Sequence, residues 1–260
     1  MSQRTQKSVV SINDWQVADL RLTAFPELPV KAKEIEWWQS TVGESPESRT
    51  FRPKSGELSE QGPFETGMLS LNIQQLRIDW HLTKARPQEI AEDDLLTVGG
   101  FSDVLPSFHS LMQKWLENDC PKLRRIAFGS VLLLPVERRQ EGYEQLSVYL
   151  PHIELDPEGS SDFMYQINRP RNSNLGIPNL QINRLCKWSV SAFVNILMKL
   201  DQRTRSSEQY YTPEVYACRL ELDISTTADF KGLLPQNKLV SVYEELVTFG
   251  KEILEKGDIP

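Results

Sequence analysis

Tyr216-Ala217-Cys218-Arg219-Leu220-Glu221-Leu222-Asp223-Ile224 is the clearest strand in this 260-residue chain. Its strict alternation puts Cys218, Leu220, Leu222 and Ile224 on one face and Arg219, Glu221 and Asp223 on the other. A polar loop follows. Leu239, Val240, Tyr243, Leu246, Val247, Gly250, Ile253 and Leu254 then recur at the spacing of a long amphipathic helix. Strand-like stretches at 162–169 and 180–197 precede this unit. The first half of the chain repeats the theme. Leu20, Leu22 and Ala24 alternate with Arg21 and Thr23; Leu69, Leu71 and Ile73 alternate, and Leu76, Ile78, Trp80 and Leu82 follow in the opposite phase. The flip at Gln74-Gln75 predicts a tight turn or bulge in an antiparallel pair.

A helix is expected over 101–116, where Phe101, Val104, Leu105, Phe108, Leu111, Met112, Trp115 and Leu116 form one apolar stripe. Ser102 or Asp103 would cap it, with Pro106 in or near its first turn, and Cys120-Pro121 would stop it. Residues 123–134 are apolar enough for a strand buried on both faces, and 143–150 suggest a short helix before Pro151. Strands plus one long helix, twice over, predict an α+β fold of two antiparallel-sheet-plus-long-helix halves, pseudo-duplicated, spanning 1–155 and 156–260. Within the first half, ten of the 21 residues at 43–63 are Gly, Pro or Ser, which reads as a long mobile loop.

These residues carry a resemblance. Leu71-x-Ile73-x-x-Leu76-Arg77-Ile78-x-Trp80 with the 101–116 helix and the strand after it, and Leu220-x-Leu222-Asp223-Ile224 with the 237–255 helix, are similar in layout to a sporadically distributed prokaryotic family of about this length. That family has no established biochemical activity. The likeness covers most of residues 67–256. It implies a pseudo-duplicated α+β fold and a role in antiphage-defence or mobile-element loci, and it supplies no catalytic residues.

The overall charge of −7 argues against a nucleic-acid coat or a polybasic membrane binder, which rely on a general positive potential. Three cysteines at wide spacing read as reduced and structural. With no apolar leader and no run long enough to span a bilayer, the expected setting is cytoplasmic.

The charge is unevenly spread. Residues 163–205 hold seven Lys and Arg against one acidic residue, Asp201, a local +6 that leaves −13 for the rest. This region contains an internal echo, Gln166-Ile167-Asn168-Arg169 and Gln181-Ile182-Asn183-Arg184, around a turn-rich Pro170–Asn179 segment. A hairpin is expected, with like residues close across the ladder. Arg169, Arg171, Arg184, Lys187, Arg203 and Arg205 are the candidate binding residues, suited to pairing with phosphate or carboxylate groups.

Enzyme signatures are sparse. Glu221 and Asp223 could share a proton or a divalent cation, but Arg219 on the same face makes an ion-pair row the simpler reading. No Glu-x-Lys of restriction-type nucleases occurs, and no phosphate-binding glycine loop or nucleophile elbow is present. His152-x-Glu154 lacks the Pro-Cys-x-x-Cys of zinc deaminases, and His81, His109 and His152 are too scattered for a metal site. No cofactor and no catalytic residue is assigned. The leading expectation is a non-enzymatic, partner-binding subunit of a prokaryotic defence or mobile-element system, acting through the basic surface at 163–205. The alternative is a DNA- or RNA-binding protein, with Asp162, Glu221 or Asp223 in metal-dependent cleavage. A small-molecule sensor with a pocket between the halves is a third reading, and self-association is an open option.

Overall fold

The computed structural model describes residues 10–85, 95–194, 196–201, 206–211 and 214–258. In chain order these form β1 (Gln16–Pro26), α1 (Trp37–Val42), β2 (Ser48–Arg52), β3 (Glu57–Phe64), β4 (Gly67–Gln74), β5 (Arg77–Lys84), β6 (Gly99–Gly100) and α2 (Phe101–Asn118). There follow β7 (Leu123–Val136), α3 (Arg139–Tyr149), β8 (Met164–Asn168), β9 (Arg171–Asn172), β10 (Gln181–Phe193), β11 (Ile196–Asp201), β12 (Ser206–Tyr211), β13 (Val215–Thr226) and α4 (Leu239–Lys256).

One eleven-stranded antiparallel sheet dominates, in the order β2-β3-β4-β5-β1-β7-β13-β10-β8, with β6 on β1 and β9 on β10. β11 and β12 pair separately. This corrects the expected pair of sheet-plus-helix halves. β7 lies between β1 and β13, so the sheet runs unbroken across the boundary near residue 155. The molecule is sheet-dominated, with helices as a thin layer on it.

The 43–63 segment is also corrected. It supplies β2, a four-residue turn closed by Gly56 at φ 70°, and most of β3. Its small residues sit at an edge, where a strand needs little burial. Gly62 is held by packing, because a Cβ there would meet the Trp38 ring at 3.0 Å. The phase flip at Gln74-Gln75 is a hairpin in which Gln74 faces Arg77. Helix α2 begins at Phe101 with Gly100 as its N-cap. Pro106 therefore falls in the second turn and forgoes the bond its N–H would give the Ser102 carbonyl.

All three longer helices lie on one face. Gly250 of α4 brings the helix backbone onto Phe128 and Leu222, and Gly142 of α3 does the same on Val190. Trp115 of α2 meets Trp80 edge-on, their ring centroids 6.2 Å apart. The registers place Trp80, Leu22, Phe128, Ile224 and Arg184 in one row across this covered face. Each fully buried Leu or Phe in such a row contributes roughly 1.5–3 kcal/mol. α4 ends at Gly257, φ 75°, where a Cβ would lie 2.2 Å from the Tyr149 carbonyl oxygen, so only glycine fits.

Candidate functional site on the helix-free sheet face

The opposite face carries the polar phase of the same strands. Three rows matter. Thr23 pairs with Asp79; His81, Arg21, Gly129, Asp223 and Leu185 lie side by side across five strands; Asp19, Val131, Glu221, Lys187 and Gln166 form the next row. Among the described residues no helix packs on these rows. A small apolar cluster of Leu95, Leu133 and Ala217 covers only one end.

Most of the charges here are matched. Asp79 accepts from Thr23 Oγ1 at 2.6 Å and from Arg77 Nε and Nη2 at 2.6 and 3.0 Å. That pairing raises the Arg77 pKa, first through the hydrogen bond to Asp79, with a smaller electrostatic contribution from Asp223. His81 Nδ1 lies 3.2 Å from Asp19 Oδ2. Glu221 meets Lys187 Nζ at 2.8 Å and Arg219 Nε at 3.1 Å, which is the ion-pair row expected from the alternation.

Arg21 and Asp223 are the exceptions. Among the described residues neither has a hydrogen-bond or ion-pair partner, and Arg21 Nε and Asp223 Oδ1 are both shut away from water. Gly129 lies between them in register. A Cβ at that glycine would sit 2.8–3.0 Å from Nη2, Nε and Cζ of Arg21, so the guanidinium lies over the bare backbone of β7. Asp223 stands on the next strand, about 5 Å further across the sheet. Both line a depression of about 210 Å³, with Asp19, Val131, Leu185, Lys187 and Glu221 around it.

The residues picked out for anion binding divide differently. Arg169 Nε and Nη2 clamp Asp258 at 2.5 and 2.8 Å, and Tyr165 Oη donates to the same carboxylate at 2.7 Å. Asp258 is thereby held below the ordinary aspartate range, chiefly by the Arg169 bonds. Arg171 Nη1 and Arg184 Nη2 share Glu252 Oε2, at 2.7 and 3.2 Å. Arg184 lies on the helix-covered face, 1% exposed, with the Phe249 ring 5.5 Å from its guanidinium. Burial, and then Arg171, lower its pKa. Among the described candidates Lys187 alone lines the depression. Arg203 and Arg205 lie outside the described residues.

The hairpin expected from the echo is present, since β8 pairs with β10 and Asn168 Nδ2 donates to Asn183 Oδ1 at 3.0 Å. The acidic candidates Asp156, Glu158 and Asp162 belong to turns outside this site; Asp156 Oδ1 accepts from the Glu158 N–H at 3.1 Å. No group of three or more His, Cys, Asp or Glu placed to hold a metal ion occurs among the described residues. Cys120, Cys186 and Cys218 are buried thiols. Burial pushes the Cys186 thiol up to about 11 and Cys120 higher still, so neither is poised as a nucleophile.

Arg21 and Asp19 were not among the residues singled out from sequence. Their one signal was position: both occupy the polar phase of a strand whose other phase is buried from Leu20 to Pro26. No family model, curated protein or solved structure matches the chain. Among the described residues no helix is long and apolar enough to cross a membrane.

Proposed function

We propose that the protein is a binding subunit that holds a polar ligand on the helix-free face of its sheet, through Arg21 and Asp223. One observation carries this reading: two half-buried groups of opposite charge stand side by side without partners. Elsewhere among the described residues such neighbours pair, as Arg169 with Asp258 and Lys187 with Glu221 do. Partly desolvated charges without partners destabilise the free protein, and a ligand with an acceptor for the open guanidinium nitrogens of Arg21 and a donor for Asp223 Oδ2 would offset that cost. Lys187, from the basic region, contributes at the rim. Arg169, Arg171 and Arg184 direct their charge at Asp258 and Glu252, which favours this face over the 163–184 segment as the contact surface.

Thermal unfolding of Arg21→Met and Asp223→Asn tests the reading with no ligand in hand. Groups kept for a ligand cost the free protein stability, so each variant should match or exceed the wild-type Tm. A fall of about 5 °C or more in either variant contradicts it, because the pair would then be structural. A cytoplasmic setting and a place in a prokaryotic defence or mobile-element system belong to the same proposal. The three buried thiols support the first, and the short motifs at 71–80 and 220–224 the second; cell fractionation and the neighbouring genes test them.

A further inference from the structure

We infer that the ligand of this depression is a free α-amino acid, bound by its carboxylate to Arg21 and its ammonium to Asp223. This inference rests on the binding role proposed above. It follows from the sign, spacing and size of what the site leaves open.

The sign comes first. Among the described residues the depression presents one cation and one carboxylate with no hydrogen-bond or ion-pair partner, so a ligand that engages both carries an acceptor group and a donor group together. A phosphate or a polyanion supplies only the first. It would also meet Asp19, Glu221 and Asp223, three carboxylates against the two cations Arg21 and Lys187. That balance repels nucleotides and nucleic-acid backbones.

The spacing narrows the choice. Because Gly129 has no side chain, the Arg21 guanidinium is drawn over β7, leaving it about one strand spacing from Asp223. Two charged groups on a single carbon atom can bridge such partners from the open side of the depression, each at hydrogen-bond distance. Groups at the two ends of a long chain do not. An α-amino acid has this arrangement, and a guanidinium and a carboxylate are its natural counter-groups.

About 210 Å³ suits one amino-acid-sized molecule and lies below the range of pockets for larger ligands. Val131 and Leu185 supply apolar wall on β7 and β10. A side chain of modest size and apolar character would rest there, whereas an acidic one would face Glu221.

Isothermal titration calorimetry of the full chain with each of the common amino acids, inorganic phosphate and a nucleotide tests this. At least one small or medium apolar amino acid should bind, with affinity reduced about tenfold or more in Arg21→Met and in Asp223→Asn. Two analogues then probe the wild-type protein itself. The matching acid without the amine should bind more weakly, and Asp223→Asn should not weaken it further. The matching amine without the carboxylate should lose its dependence on Arg21 in the same way.

Absence of heat with every amino acid at about 10 mM overturns the inference, as does binding of phosphate or nucleotide in their place. If the Arg21 and Asp223 variants meanwhile keep or raise Tm, the binding role stands and only the ligand class fails. If they lose Tm, the binding role itself fails.

Discussion

Arg169 with Asp258 and Arg21 with Asp223 are the same two residue types placed in one chain to opposite effect. The first pair closes into a two-point clamp at 2.5 and 2.8 Å on a carboxylate that is only 5% exposed, and Tyr165 adds a third bond. The second pair faces across a glycine and makes no contact. The difference is one of setting. Asp258 follows the last helix, where Gly257 turns the chain and the Asp258 N–H bonds to the Tyr149 carbonyl, so its carboxylate is brought to the arginine. Arg21 and Asp223 are fixed by sheet register on strands separated by β7, and their backbones cannot approach. One pair completes the fold and the other stays available.

The largest expected effect comes from breaking the closed pair. Arg169→Met leaves a buried carboxylate with Tyr165 as its remaining side-chain partner and should cost about 3 kcal/mol, or roughly 10 °C in Tm. The sign with pH follows from the depressed Asp258 pKa. Its contribution is complete above the ordinary aspartate range and is lost as pH falls through the depressed value. Urea titrations of wild type and variant should therefore converge on acidification. A gap that is constant with pH would mean the clamp is not the source of the effect.

A smaller effect is expected at a third buried charge, intermediate between the two pairs. Glu60 is 1% exposed; Oε1 meets Arg49 Nη1 at 3.2 Å, and Oε2 has no partner among the described residues. Burial raises its pKa, with Arg49 opposing. A raised carboxyl pKa means that stability present at low pH is lost as pH rises through the folded value. Glu60→Gln should accordingly gain about 1 kcal/mol at neutral pH and nothing below the ordinary glutamate range. Equal stability at neutral pH would show that Arg49 compensates the charge in full.

How much of this was legible in the sequence depends on which interactions were local. Strand β13, helices α2 and α4, and the β8–β10 hairpin came from periodicities within single segments, which survive any tertiary arrangement. Continuity of the sheet did not, because the β1–β7 and β7–β13 pairings join segments about a hundred residues apart, and no local pattern encodes them. The 43–63 stretch reads as a loop because an edge hairpin needs few apolar residues. The basic region was visible as a count of charges, but Asp258 and Glu252, which pair with it, come from a distant helix and the turn after it. The open site was the least legible part. Arg21 and Asp223 are ordinary polar-phase residues of two strands, and only the register through Gly129 makes them neighbours.

The most direct measurement is a double-mutant cycle on stability for each pair, comparing Arg21→Met with Asp223→Asn and Arg169→Met with Asp258→Asn. For Arg21 and Asp223, which share no hydrogen bond, the expected coupling in the free protein is about 1 kcal/mol or less, and for Arg169 and Asp258 it is about 2 kcal/mol or more. A coupling at Arg21 and Asp223 as large as that of the clamp would contradict this, since those charges would then already satisfy each other.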